Sequence, residues 1–156
     1  MEIQYDQVLV NGNESDIRNF ASNNGTVIDW HSEDDLIVRD FAAKLENERL
    51  SAKCTDTGLL VFYNGIEHEI PLTFSGKDRY VTIRGLIGIL KDKYEIRVFE
   101  DSLGSDTHIF YIKPKKWWAF MDKHFPEAMK KVFFEIDDKL DFFAGRARFY
   151  AFGPEN

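Results

Sequence analysis

Leu59-Leu60-Val61-Phe62-Tyr63-Asn64-Gly65-Ile66-Glu67-His68-Glu69-Ile70 is the stretch on which the reading of the fold turns. Two strand-like runs flank Asn-Gly, the dipeptide that tolerates positive φ at both central positions of a type I′ turn. A two-residue loop of this kind fixes register. It pairs Tyr63 with Ile66, Val61 with His68 and Leu59 with Ile70. His68 then shares a face with Leu59, Val61, Ile66 and Ile70, while Glu67 and Glu69 stand opposite Phe62 and Leu60. Both faces are half apolar, so the sheet is expected to be packed on one side and partly covered on the other.

Working outward, Arg49 to Phe74 reads as an antiparallel meander around that hairpin. A second hairpin is expected from Tyr94–Phe99 and Thr107–Ile112, with Glu100 to Asp106 as its loop. Ile83, Leu86, Ile87 and Leu90 recur at helical spacing, which predicts a helix over Arg79–Lys91. Gly85 and Gly88 weaken that helix and suit a close approach to a neighbouring backbone. Pro114 opens another helix, with Trp117, Met121, Trp118 and Phe125 giving a broad apolar face, and Pro126 begins a further turn.

Towards the N-terminus, Ile3–Val10 reads as a strand. Asn13 caps a helix carrying Ile17, Phe20 and Ala21 on one face, stopped by Asn24-Gly25, and Thr26–Trp30 forms a short strand. Ser32 and Asp35 have the spacing of a capping box for a helix running to Asn47, with Ile37, Phe41 and Leu45 as its buried stripe. Val132–Ile136 and Arg146–Phe152 read as closing strands. The expectation is an α+β fold, one domain over residues 1–156, with a mainly antiparallel sheet built from hairpins and covered by helices.

Composition narrows the function classes. The 156 residues carry 27 acidic and 20 basic side chains, and 15% are aromatic, too apolar a mixture for a disordered chain. The sequence contains no apolar run of membrane-spanning length. Net negative charge counts against nucleic acid as a partner, since phosphate binding needs a basic footprint. The single Cys54 excludes an internal disulfide framework, and Met-Glu-Ile-Gln-Tyr-Asp has no secretory character. A cytoplasmic location is therefore expected.

The excess charge is uneven: residues 1–60 hold 12 acids against 5 bases, and residues 61–156 hold 15 of each. Glu33, Asp34, Asp35 and Asp40 form the densest acidic stretch, and part of it suits the positive end of a helix dipole. Lysines dominate from Lys113 to Lys131.

Catalytic signatures are scarce. Gly85-Leu86-Ile87-Gly88 lacks the order of a dinucleotide fingerprint, and no phosphate loop, nucleophile elbow or local zinc pattern occurs. The Glu100–Asp106 loop lacks the order of a calcium-binding loop. No cofactor or metal is expected. His68, His108 and Asp106 are the candidates for catalysis, on the supposition that the two hairpins are neighbours. The plainer account is a hydrogen-bonded histidine beside a turn aspartate. Cys54 is assigned to packing.

Three function classes follow. The first is an acidic protein-binding module, of the kind seen in inhibitors and bacterial immunity proteins, neutralising a basic partner such as a toxin. Its contact residues would be Glu33, Asp34, Asp35 and Asp40, with one of Trp117 and Trp118 exposed as an anchor. The second is a small enzyme or ligand-binding domain using the His/Asp set. The third is a structural homo-oligomer subunit. The charge asymmetry places the first ahead.

Overall fold

The computed structural model describes residues 3–29, 32–75 and 78–136. The expected closing strand over Arg146–Phe152 lies outside them. The α+β reading holds, with the strands divided between two sheets ordered β1-β6-β5-β7 and β2-β3-β4. The chain divides into two compact units, bordered at Val27/Ile28 and Leu90.

The first unit holds the residues before Ile28 and those from Leu90 to Ile136. Helix α1 (Val8–Asn11) replaces the strand expected over Ile3–Val10. The Asp6 carboxylate accepts from the Val8 N–H, and the Gln7 carbonyl accepts from Val10 and Asn11, so the chain turns instead of extending. Asn13 caps α2 (Glu14–Asn24) in a capping box with Asp16, and Gly25 ends it, both as expected. Strand β1 (Thr26–Asp29) follows and crosses the border between the units.

In the same unit, β5 (Tyr94–Phe99) and β6 (Thr107–Pro114) pair antiparallel, joined by a 3₁₀ turn over Glu100–Gly104. Helices α5 (Lys115–His124) and α6 (Pro126–Val132) lead into the three-residue strand β7 (Phe133–Glu135), antiparallel to β5. Pro114 sits one residue earlier than expected, as the N-cap of α5 rather than in its first turn. The core includes Leu9, Ile17, Phe99, Trp118, Met121 and Phe133.

The second unit contains α3 (Asp34–Ala42), the strands β2 (Leu50–Cys54), β3 (Gly58–Tyr63) and β4 (Ile66–Pro71), and α4 (Arg79–Leu90). The central hairpin has the expected register: Tyr63↔Ile66, Val61↔His68 and Leu59↔Ile70. Asn64 and Gly65 have φ of 51° and 86°, as a type I′ turn requires. Helix α4 begins where expected and ends at Leu90, one residue before Lys91. A Cβ on Gly85 would lie 2.5 Å from Ile70 Cδ1, so this glycine admits the β4 side chain, whereas Gly88 faces open space.

Two expectations for α3 are corrected. Its N-cap is Glu33, with no side-chain cap, because Ser32 is engaged elsewhere: the Asp29 N–H donates to its hydroxyl, which donates in turn to the Asp29 carboxylate. The helix also stops at Ala42, not Asn47. Bonds from Lys44 to Phe41 and from Leu45 to Ala42 tighten its end, and Asn47 adopts φ 59°. Ile37 and Phe41 are buried in the helix, while Leu45 is half-buried beyond it.

Candidate functional site

The acidic stretch does not form a uniform surface. Glu33 is exposed, and Asp35 and Asp40 are half-buried. Asp34 turns inward, where its carboxylate accepts from Thr82 Oγ1 at 2.7 Å. Burial raises its pKa above the ordinary carboxylate value; the Thr82 hydrogen bond partly offsets this, and nearby Asp78 adds to the rise. Asp78 is itself buried and accepts from Thr73 Oγ1 and from the N–H groups of Thr73 and Phe74. Asp34 and Asp78 thus tie α3, α4 and the chain before α4 together.

Cys54, exposed on β2, faces the same acids. Partial desolvation, then the charges of Asp35, Asp34 and Glu33, push its thiol pKa up. A raised pKa disfavours the nucleophilic thiolate.

A second group of carboxylates lies on β4. Glu67 and Glu69 are exposed, on the sheet face where their partners Phe62 and Leu60 remain half-buried. Together with Lys53 and Ser51 of β2, they make an outer face that is acidic at one edge and apolar at its middle. Glu33, Glu67 and Glu69 make no ion pair among the described residues.

The structure places His68 and His108 in different sheets. His68 is half-buried on β4, and His108 is fully buried on β6, on the strand face that carries Phe110 and Ile112. Asp106 is exposed before β6, and Asp101 is held by Arg18 through two hydrogen bonds at 2.9 and 3.2 Å. The supposition that the two hairpins are sheet neighbours is therefore corrected. Among the described residues, no group of three or more His, Cys, Asp or Glu side chains has a geometry that would hold a metal ion.

Trp117 and Trp118 are both buried, which corrects the expectation that one is exposed. Their rings meet at 87° with centroids 4.9 Å apart, so neighbouring indoles share one core by packing edge to face. Each indole N–H is satisfied, Trp117 donating to the Gln4 carbonyl and Trp118 to that of Glu95.

Arg97 lies on Trp118, with its guanidinium 4.3 Å from the ring centroid. Although on β5 and only 5% exposed, it forks onto Asp122 at 2.9 and 2.6 Å and donates to Glu95 at 2.6 Å. Burial alone would lower its pKa, but the bonds to Asp122 and Glu95 outweigh that and raise it. The pair is charged and internally satisfied.

Two clefts open in this unit. One, of about 410 Å³, has Ile17, Ala21, Phe99 and Ile109 as apolar lining and the exposed Arg18–Asp101 pair at its side. The other, of about 450 Å³, has Pro126, Met129, Phe133 and Phe134 as apolar lining, with Glu100, Asp122 and Glu135 and the cations Arg97 and Lys130 among its charged residues. Sequence reading did not single out this second cleft. Its components come from β5, the 3₁₀ turn, α5, α6 and β7, each expected separately, but no local pattern brings them together.

Among the described residues, no helix is long and apolar enough to cross a membrane. Compared with known proteins, the chain matches no family model, no curated protein and no solved structure.

Proposed function

We propose that this chain is an acidic protein-binding module that engages a basic protein, in the manner of an inhibitor or immunity-type protein. One observation carries the reading: Glu33, Glu67 and Glu69 stand exposed in the second unit without an ion pair among the described residues. Unpaired surface carboxylates create a field that steers a basic partner and disfavours acidic ones. Phe62 and Leu60, opposite the two glutamates, supply the apolar middle that a stable interface needs. Asp35 and Asp40 extend the charge along α3, while Asp34 acts within the fold through Thr82.

The test is affinity capture from cells of the source, at low and raised salt, with wild-type protein and an E33K/E67K/E69K variant. The expected result is a basic protein retained by the wild type at low salt, released as salt rises, and lost from the variant. Equal capture by both would overturn the acidic-surface reading.

A further inference from the structure

The hydrogen bonds of the β2-β3-β4 sheet determine which backbone groups of β4 are engaged and which are open. In an antiparallel pair, opposed residues alternate between those that exchange both backbone bonds and those that exchange none. The Leu72 N–H donates to the Thr57 carbonyl at 3.1 Å, next to the pairs Gly58↔Pro71 and Leu59↔Ile70. Counting back in twos, Ile70, His68 and Ile66 bond to Leu59, Val61 and Tyr63, whereas Pro71, Glu69 and Glu67 turn their backbone groups away from β3. The bond from the Asn64 N–H to the Arg49 carbonyl at 2.8 Å sets the same alternation on the other side, with Phe62 and Leu60 turned to β2. Strand β4 ends its sheet, and among the described residues nothing pairs with its outer edge. That edge presents the N–H and C=O of Glu67 and Glu69, then the carbonyl of Pro71, which has no N–H to offer.

We infer that this edge is completed by an extended segment of a basic protein, added antiparallel to β4 with basic side chains opposite Glu67 and Glu69. The inference rests on the acidic-surface reading for the partner's charge and goes beyond it in naming how the partner's backbone is held. The open backbone groups and the exposed carboxylates belong to the same two residues. A residue that closes both bonds with either glutamate stands directly opposite it, with Cβ atoms ~5 Å apart, where opposite charges attract and like charges repel. Neither carboxylate makes an ion pair among the described residues, and Lys53, on the same face, lies two strands away opposite Leu60.

Charge also decides against a second copy of this chain, since two β4 edges paired antiparallel would set glutamate against glutamate. Between its basic positions the incoming strand turns a side chain to the other face, beside the half-buried His68. The next such side chain lies against Ile66, which is 63% exposed. The segment that fits therefore reads basic, apolar, basic, apolar from its N-terminal end, opposite Glu69, His68, Glu67 and Ile66 in turn.

The experiment is a ¹⁵N NMR titration of the full chain with acetyl-Thr-Lys-Val-Lys-Val-Thr-amide. Two analogues carry backbone N-methyl groups, one on both lysines and one on both valines, and a third replaces both lysines with glutamate. In this register the lysine N–H groups donate to β4 and the valine N–H groups point away. Saturable shifts are expected at the amides of Glu67 and Glu69, retained with N-methyl valine and absent with the glutamate peptide. N-methyl lysine should weaken binding by about tenfold or more, for two lost hydrogen bonds. An E67Q/E69Q variant should bind the lysine peptide about threefold or more less tightly, with its spectrum elsewhere unchanged. In the free chain, the Glu67 and Glu69 amides should exchange with solvent faster than those of Ile66, His68 and Ile70.

Absence of saturable shifts overturns strand addition, as does slow exchange of Glu67 and Glu69 in the free chain. Equal binding of the glutamate peptide, or an E67Q/E69Q variant that binds like wild type, overturns it too. Equal binding of the two N-methyl peptides also overturns it but leaves the acidic-surface reading standing. Equal capture by wild type and E33K/E67K/E69K removes that reading and leaves the backbone pairing to the peptides, so the two proposals fail separately.

Discussion

Arg97 in one unit and Glu67 with Glu69 in the other show opposite treatments of charge. Arg97 is drawn under the surface, stacked on Trp118 and closed by Asp122 and Glu95. Glu67 and Glu69 stand in solvent on an edge strand, beside half-buried apolar side chains and with no ion pair among the described residues. The first arrangement consumes charge to organise a core. The second leaves it available to something else. A buried ion pair is costly to break because the remaining charge is stranded, whereas exposed charges contribute little to folding. The comparison therefore separates positions where substitution unfolds the protein from positions where it leaves the fold intact.

The largest effect is expected at the aromatic platform. Trp118 is 1% exposed, meets Trp117 and Phe133 edge to face, and carries Arg97 on its ring. Trp118→Ala should cost about 3–5 kcal/mol, the range for deleting a large core aromatic. Chemical denaturation measures it. A loss under about 1 kcal/mol, the scale of an ordinary surface change, would show that the platform does not hold the unit together.

Next comes the ion pair itself. Asp122→Ala leaves Arg97 with Glu95 alone. Removing one partner of a fully buried pair costs about 3–5 kcal/mol; here about 2 kcal/mol is expected, because the Asp122 side chain is 45% exposed and water replaces part of its role. The loss should persist at high salt, since a shielded guanidinium is screened less than surface charge. A salt-sensitive loss would move Arg97 into the same class as Glu67.

How far the sequence revealed this contrast depends on the distance over which each feature is encoded. The Asn64-Gly65 hairpin was legible to the residue because turn chemistry and side-chain alternation are both local. The Asn13–Asp16 cap was legible for the same reason. Ile3–Val10 was misread because its apolar alternation is equally compatible with a turn that sends Leu9 into the core, and the Asp6 side chain decides between them. Ser32 had cap spacing, yet the neighbouring Asp29 captured its hydroxyl. The Arg97–Asp122 pair spans 25 positions and needs β5 packed beside α5, so no local pattern announces it. The pairing of Glu67 and Glu69 with Phe62 and Leu60 followed from register, whereas the inward turn of Asp34 depended on Thr82, 48 positions away.

Asp34 tests the boundary between the two treatments, since it belongs to the acidic stretch by sequence and to the interior by structure. Its pKa is raised, chiefly by burial, so the folded state binds a proton more tightly than the unfolded chain. The native state then holds more protons than the unfolded state above the ordinary carboxylate value of about 4. Stability from this group is accordingly full below that value and is lost as pH rises through the raised native pKa. Asp34→Asn keeps an acceptor for Thr82 and removes the titration. Its melting temperature should therefore gain on wild type as pH rises from 4 to 7, followed by thermal denaturation at each pH. A constant difference across that range would place Asp34 with the solvated carboxylates.

The smallest effect on stability, and the most informative for function, belongs to Glu67 and Glu69. Replacing both with lysine should change stability by no more than about 0.5 kcal/mol, the usual span for exposed positions without special contacts. Neither position supplies a core side chain, and the register of β3 with β4 is set by the turn and by Leu59, Val61 and Ile70 beneath. Backbone pairing survives a side-chain change on the solvent face. If the acidic face is a recognition surface, the same variant loses the salt-sensitive partner while melting as wild type does. Were it instead to unfold, Glu67 and Glu69 would be structural like Arg97, and the division of labour between the two units would disappear. Coupled readouts of melting and capture on one protein sample decide between those outcomes, because a structural role moves both and a recognition role moves only capture.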